Sequence, residues 1–431
     1  MSTAKFFAWV HRALSSDVTL LFSTRMVRLF AYGSLPVILA LYLVEIGLSD
    51  ERIGLLLTMT LLGDTAISLW ITTNADRIGR KRMLIGGALL MVLGGIVFAL
   101  TSSFLPLVLA ATIGVISPSG NEVGPFLAIE QAALAETVTD TRRTHFFAWY
   151  SLAGSVATAT GALACGEAVE WLQARPLAPV DSFRVVFFAY AAAGVLLALL
   201  FTRLSPAAEV QPSNSSAATG SDRKILFGLH RSRGMVMGLS ALFALDAFAG
   251  GFVLQTIMAF WFHARFQATE ATLGRIFFAA NLLAGLSALT AAAIARRVGL
   301  VNTMVFTHVP SNLLLILVPF MPTLPWAIAV LLLRFAISQM DVPARQSYTA
   351  AVVDPDERSA AAGVTGVART TGAAMAPIFA GVLLGHPGLM GAPFVVAGAL
   401  KLVYDGLLYR LFRHIKPPEE ARAPKQKIAN S

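Results

Sequence analysis

Runs of about 18 to 25 apolar residues recur along nearly the whole chain, each long enough to cross a hydrocarbon core of about 30 Å as a helix. Apolar windows predict twelve such helices near residues 18–44, 53–74, 83–101, 105–134, 145–166, 183–202, 235–262, 272–295, 302–320, 324–350, 360–384 and 391–412. The runs do not alternate apolar with polar positions, which argues against a membrane β-barrel. One long polar interval, Ser205 to Ser232, contains Pro212-Ser213-Asn214-Ser215-Ser216 and cannot bury a core, so it reads as a flexible linker. The pattern divides the chain into a six-helix half at 1–204, a linker at 205–233, a second six-helix half at 234–413 and a basic tail at 414–431.

Composition supports a membrane protein. Of 431 residues, 56% are hydrophobic and only 13% charged, against about a quarter charged in a soluble domain. The net charge of +9 would suit nucleic acid if it lay on one polar face, but it is gathered where alternate spans end. Arg77, Arg80, Lys81, Arg82, Arg142, Arg143, Arg203, Arg296, Arg297 and Arg358 fall on one side, whereas the other side offers only Arg52, Arg175, Arg184 and Arg265. The positive-inside rule then places both termini in the cytoplasm, and the expected location is a bacterial inner (plasma) membrane. No cleavable signal pattern is present in Met1 to Asp17. A single cysteine, Cys165, and seven dispersed histidines provide no paired metal-ligand spacing and no nucleophile–base arrangement, so neither a metal, a cofactor nor an enzyme is expected.

The two halves share a register. At an offset of about 215 to 220 residues, Phe30-Ala31-Tyr32-Gly33 meets Phe248-Ala249-Gly250-Gly251, Gly54 meets Gly274, and Glu130-Gln131 meets Arg345-Gln346. The basic turn Asp76-Arg77-Ile78-Gly79-Arg80-Lys81-Arg82 is echoed, with weaker charge, by Ala295-Arg296-Arg297-Val298-Gly299. A duplicated half of this kind places a substrate site near the bilayer midplane, exposed to each side in turn by rocking.

The stretch Thr72-Thr73-Asn74-Ala75-Asp76-Arg77-Ile78-Gly79-Arg80-Lys81 resembles the signature Gly-x-x-x-Asp-Arg-x-Gly-Arg-Lys of the major facilitator superfamily, lacking only the first glycine. The resemblance covers essentially the whole chain. It implies an all-α membrane protein of that family's fold, two pseudo-symmetric six-helix bundles around a central cavity. It also implies that the eleventh helix, starting after Arg358, opposes the loop. Asp76 at a helix end can accept hydrogen bonds from arginines or from an opposing helix N-terminus, so Asp76, Arg77, Gly79, Arg80 and Lys81 read as a gate latch. Charge placement alone would explain Arg80 and Lys81 but not Asp76 or Gly79.

Ionisable residues inside spans are costly and mark functional candidates. Arg28 and Asp246 occupy matching positions with opposite charge, as do Glu130 and Arg345, and each couple is expected to pair between the halves. Ser117-Pro118-Ser119-Gly120-Asn121-Glu122-Val123-Gly124-Pro125 breaks the fourth span, which makes Glu122 the preferred proton or substrate group, followed by Asp64 and Asp341. Asn281 and Gln346 are uncharged ligand candidates. Arg334, Lys401 and Asp405 are set aside for closeness to helix ends or lack of a recognisable partner. No phosphate-binding Gly-x-x-x-x-Gly-Lys-Ser/Thr loop is present, so the energy source expected is a proton gradient. The expected activity is secondary transport of a small molecule by a monomer in the lipid bilayer, as an efflux antiporter or by uptake of a polar or anionic metabolite. Arg28 and Arg345 would suit an anion.

Overall fold

A computed structural model describes residues 16–120, 126, 127, 129–131, 140–205, 229–354 and 357–415. Among them the first half contains α1 (Ser16–Glu45), α2 (Asp50–Ile78), α3 (Arg80–Leu100), α4 (Phe104–Ile113), α5 (Asp140–Gln173) and α6 (Pro179–Phe201). The second half contains α7 (Arg233–Gly251), α8 (Gln255–Phe266), α9 (Glu270–Val298), α10 (Leu300–Leu317), α11 (Leu324–Phe335), α12 (Asp341–Ala351), α13 (Arg358–Leu384) and α14 (Ala392–Phe412). Among the described residues ten helical stretches are long and apolar enough to cross a membrane, and α4 and α11 are shorter apolar helices at the starts of the expected fourth and tenth spans. Outward-facing leucines and isoleucines, such as Leu89, Leu93, Ile96 and Leu100 along α3, suit contact with lipid tails.

Among the described residues, three of the expected spans are interrupted. The fourth leaves helical geometry after α4, with Val115 at φ 52° and Gly120 at φ 69°, as its polar Ser-Pro-Ser-Gly sequence leads one to expect. The seventh and tenth were expected to be continuous and are not: residues 252–254 separate α7 from α8, and residues 336–340 separate α11 from α12. Gly250-Gly251 weakens the helix before the first of these breaks. At the second, the Gln339 backbone N–H donates to the Ser287 hydroxyl at 3.3 Å, a side-chain acceptor in place of an intrahelical carbonyl.

The repeat seen in the sequence is also a repeat of packing. α1 lies along α5 and α6, and α3 along α6; in the same way α7 lies along α13 and α14, and α10 along α14. Glycines permit the equivalent crossings: a Cβ on Gly33 would collide with the Thr158 carbonyl oxygen, and one on Gly251 with that of Ala373. Close helix approach of this kind is the usual role of small residues between membrane helices. The turns after α2 and α9 match too, with Gly79 at φ 108° and Gly299 at φ 88°, a region that side chains with a Cβ avoid.

Two compact units result, one drawn from Met1–Leu48, Gly63–Ala218 and Thr269–Phe278, the other from Ser49–Leu62, Thr219–Ala268 and Ala279–Ser431. Residues 206–228 of the expected linker lie outside the described residues, but both flanks are anchored. The Ser205 N–H donates to Asp17 at 3.0 Å in the first unit. In the second, the Glu357 carboxylate accepts backbone N–H groups of His230, Arg231 and Ser232 at 2.6, 2.8 and 2.8 Å, at the start of α7. Burial pushes the Glu357 carboxyl upward, and the three backbone donors more than reverse this, bringing its pKa down to about 2.

Candidate functional site

In the first unit Arg28, on α1, meets Glu130. The contact is bidentate, Nη1 to Oε1 at 2.6 Å and Nη2 to Oε2 at 2.7 Å, and both side chains are fully buried. Thr24 donates its hydroxyl to Oε1 at 3.2 Å, Tyr150 donates to Oε2, and the guanidinium lies 4.7 Å from the Phe126 ring centroid. A carboxylate receiving that many donors in a sealed environment is a fully satisfied anchor.

In the second unit Asp246, on α7, meets Arg345, on α12, at 3.2 Å. Here the pair opens into a network. The other Asp246 oxygen accepts from Lys401 of α14 at 2.5 Å, and Arg345 also reaches Asp341, one turn before it, at 3.3 Å. His308 of α10 bridges two carboxylates, its Nδ1 standing 2.8 Å from Asp405 and its Nε2 3.8 Å from Asp246. Asn312 donates to the second Asp405 oxygen at 2.9 Å. All of these residues are buried except for small fractions of surface.

The four residues expected to pair between halves therefore pair within them, and the expectation is corrected accordingly. Matching repeat positions are equivalent places in two copies of a bundle. Equivalence fixes each residue's local neighbours rather than bringing the two equivalents together. The same correction removes Arg28 and Arg345 as free anion ligands, because their charge is already committed to Glu130 and to Asp246 with Asp341.

Other expected positions divide. Asp341 joins the network, whereas Asp64 sits half-buried on α2 with the Ser68 hydroxyl at 3.4 Å. Asn281 donates to the Gln255 side chain at 3.3 Å, at the start of α8, and Gln346 is exposed. Glu122 lies outside the described residues, as does the Asp76 side chain at the end of α2. Arg77 is exposed and Arg80 buried; Gly79 forms the positive-φ turn, and Lys81 donates to the Leu204 carbonyl at 3.0 Å, just past the end of α6. Gly79 and Lys81 thus shape the first unit itself, a role that a latch reading does not require.

Sequence reasoning set aside Lys401 and Asp405 and treated the histidines as dispersed. A usable signal existed: Lys401 and Asp405 are four residues apart on one helix face, as are His308 and Asn312, and polar pairs at that spacing inside apolar spans face a common partner.

Comparison with known proteins accords with this architecture. The sequence profile of the Major Facilitator Superfamily matches residues 21–340 and 266–430. An uncharacterized membrane protein of Saccharomyces cerevisiae, YJR124C, is 30% identical over 426 residues, covering 93% of this chain and 95% of its own. Among solved structures, the nucleoside transporter NupG superposes with a TM-score of 0.71 at 15% identity, covering 92% of this chain and 99% of its own. A D-xylose-proton symporter gives 0.70 at 15% identity, with 91% and 97% covered. A bacterial homologue of the human lysosomal transporter Spinster, inward-facing and occupied, gives 0.70 at 16% identity, with 92% and 96% covered.

Proposed function

This chain belongs to the Major Facilitator Superfamily, and from that premise we propose that it is a secondary transporter, moving a small molecule by alternating access with proton coupling through the network of the second unit. The observation that carries the reading is the bridging imidazole of His308, held between Asp405 and Asp246 while Asp246 is shared with Lys401 and Arg345. One proton entering such a network changes which cation each carboxylate holds. That gives protonation a means of repartnering side chains on α7, α10, α12 and α14. The Lys and Arg distribution supports placing both termini on the cytoplasmic side.

The test is flux. Proteoliposomes loaded with a metabolite extract are incubated with and without an imposed pH gradient, and released compounds are identified by mass spectrometry. The expected result is protein-dependent release of at least one compound, accelerated by the gradient in wild type and not in Asp246→Asn. Release that ignores the gradient would remove proton coupling and leave the carrier. Release driven by protons moving the opposite way identifies efflux antiport, whereas accumulation with the protons identifies uptake.

A further inference from the structure

The second unit holds more positive charge than its carboxylates neutralise. Asp246 and Asp341 are taken by Lys401 and Arg345, and Asp405 by His308 with Asn312. Two further arginines of the second unit lie within reach of this network. The side chains of Arg334, in the last turn of α11, and Arg369, on α13, make no ion pair or hydrogen bond among the described residues; the Nε of each is buried without a hydrogen-bond partner, and the Arg334 guanidinium lies 4.9 Å from the Phe335 ring centroid. Both lie within the electrostatic reach of the same carboxylates, Asp246 and Asp341, and Arg369 is opposed by Arg345. The fixed charges of this one cluster are therefore four cations, Arg334, Arg345, Arg369 and Lys401, against three carboxylates. Protonation of His308 would enlarge the excess.

Depth makes the excess expensive. At about 1.5 Å per residue, Arg369 stands about 17 Å along α13 and Arg334 about 15 Å along α11, close to the middle of a core about 30 Å thick. α11 ends one residue after Arg334, but the tenth span continues through α12, so neither arginine is near enough to the end of its span to reach headgroups by extending. A guanidinium at that depth is costly unless an anion or the water of a cavity meets it, and both side chains are only partly buried. Space exists on the helix face that presents Arg369: a Cβ at Gly366, one turn before it, or at Gly363, two turns before, would find no atom within 4 Å.

We propose that Arg334 and Arg369 form the anion-binding part of the substrate site, so that the transported molecule is a small organic acid carrying a carboxylate or phosphate group. A planar guanidinium fork matches either group in bidentate geometry. The inference rests on the transporter reading and deepens it by naming the class of cargo. Binding of the anion and protonation of the His308 bridge then become linked, because each alters the same local charge balance.

Equilibrium binding tests this separately from transport. The full-length protein in detergent is unfolded thermally in the presence of succinate, benzoate or inorganic phosphate at matched ionic strength. The controls are the uncharged isosteres succinamide and benzamide, and phosphatidylglycerol. At least one soluble anion should raise the melting temperature above its neutral control. Its affinity should fall about ten-fold or more in R334Q and in R369Q, recover in part in R334K and R369K, and be unchanged in R265Q, at an exposed arginine. The ligand-free melting temperature of each variant reports its folding. Anions no better than their neutral controls, or anion binding that survives both glutamine variants, would overturn the proposal. So would stabilisation by phosphatidylglycerol alone, since the clamp would then hold a lipid headgroup. Anion binding without any flux would sink the transporter reading and leave the site standing.

Discussion

In the first half the arginine stands on the first span and the carboxylate on the fourth; in the second half the carboxylate stands on the seventh and the arginine on the tenth. Duplication kept the position of the pair and inverted its polarity. Its surroundings then diverged. Arg28 and Glu130 are closed by Thr24, Tyr150 and Phe126, so both carboxylate oxygens and both terminal guanidinium nitrogens of the pair are answered locally. Asp246 and Arg345 are each shared with further charges, and Arg334 and Arg369 stand within electrostatic reach of Asp246 and Asp341 with no side-chain ion pair or hydrogen bond among the described residues. One half holds a finished ion pair. The other holds an unfinished network, and only an unfinished network can respond to a proton or a ligand without first being broken.

Breaking the finished pair should have the largest effect on stability. Glu130→Gln leaves the buried Arg28 charge unanswered and should cost about 3–5 kcal/mol, read as a large fall in melting temperature in detergent; exchanging the two residues as R28E/E130R should restore part of it. Asp246→Asn should lose less of the melting temperature, because Arg345 retains Asp341 and the amide and backbone oxygens at position 246 can still accept from Lys401, while losing gradient-driven flux. Equal loss of stability in the two variants would erase the contrast between halves.

The turns offer a second comparison. Gly79→Ala and Gly299→Ala place a Cβ on equivalent positive-φ positions, so each should destabilise by about 1–3 kcal/mol. Asp76→Asn, by contrast, should insert and melt as wild type does but transport poorly; wild-type flux in that variant would remove the latch role. The smallest effect concerns Glu357. Its carboxyl is depressed to about 2 in the folded protein and stands at about 4.3 when unfolded, so its contribution is complete above that value and fades as the pH falls toward 2. The stability difference between wild type and Glu357→Gln should therefore hold steady from about pH 6 to about pH 5 and then shrink as unfolding is measured down to about pH 3.

Much of this architecture was legible in the chain. The expectation of a chain of about ten to twelve apolar membrane helices follows from apolar length alone, since a helix must cover a fixed thickness, and the equivalence of Gly33 with Gly251 and of Gly79 with Gly299 could be seen in register. The breaks at 252–254 and 336–340 could not be read from hydropathy, because Phe252-Val253-Leu254 is as apolar as any helix interior. The pairing of Arg28 and Asp246 was misread for a physical reason: repeat symmetry names equivalent residues, whereas contacts depend on which helices pack together. Lys401, Asp405 and His308 are contributed by two other helices of the second half, and only packing assembled them around Asp246.

The most direct measurement neutralises both members of each pair and compares flux. R28M/E130Q and R345M/D246N, both in proteoliposomes loaded with metabolite extract, remove matching charges from matching positions without stranding a partner in the first half. The first variant should fold and still release cargo in response to a pH gradient, and the second should fold and release none. Gradient-driven release from the second variant, or its loss only from the first, would contradict the assignment of the working site to the second half.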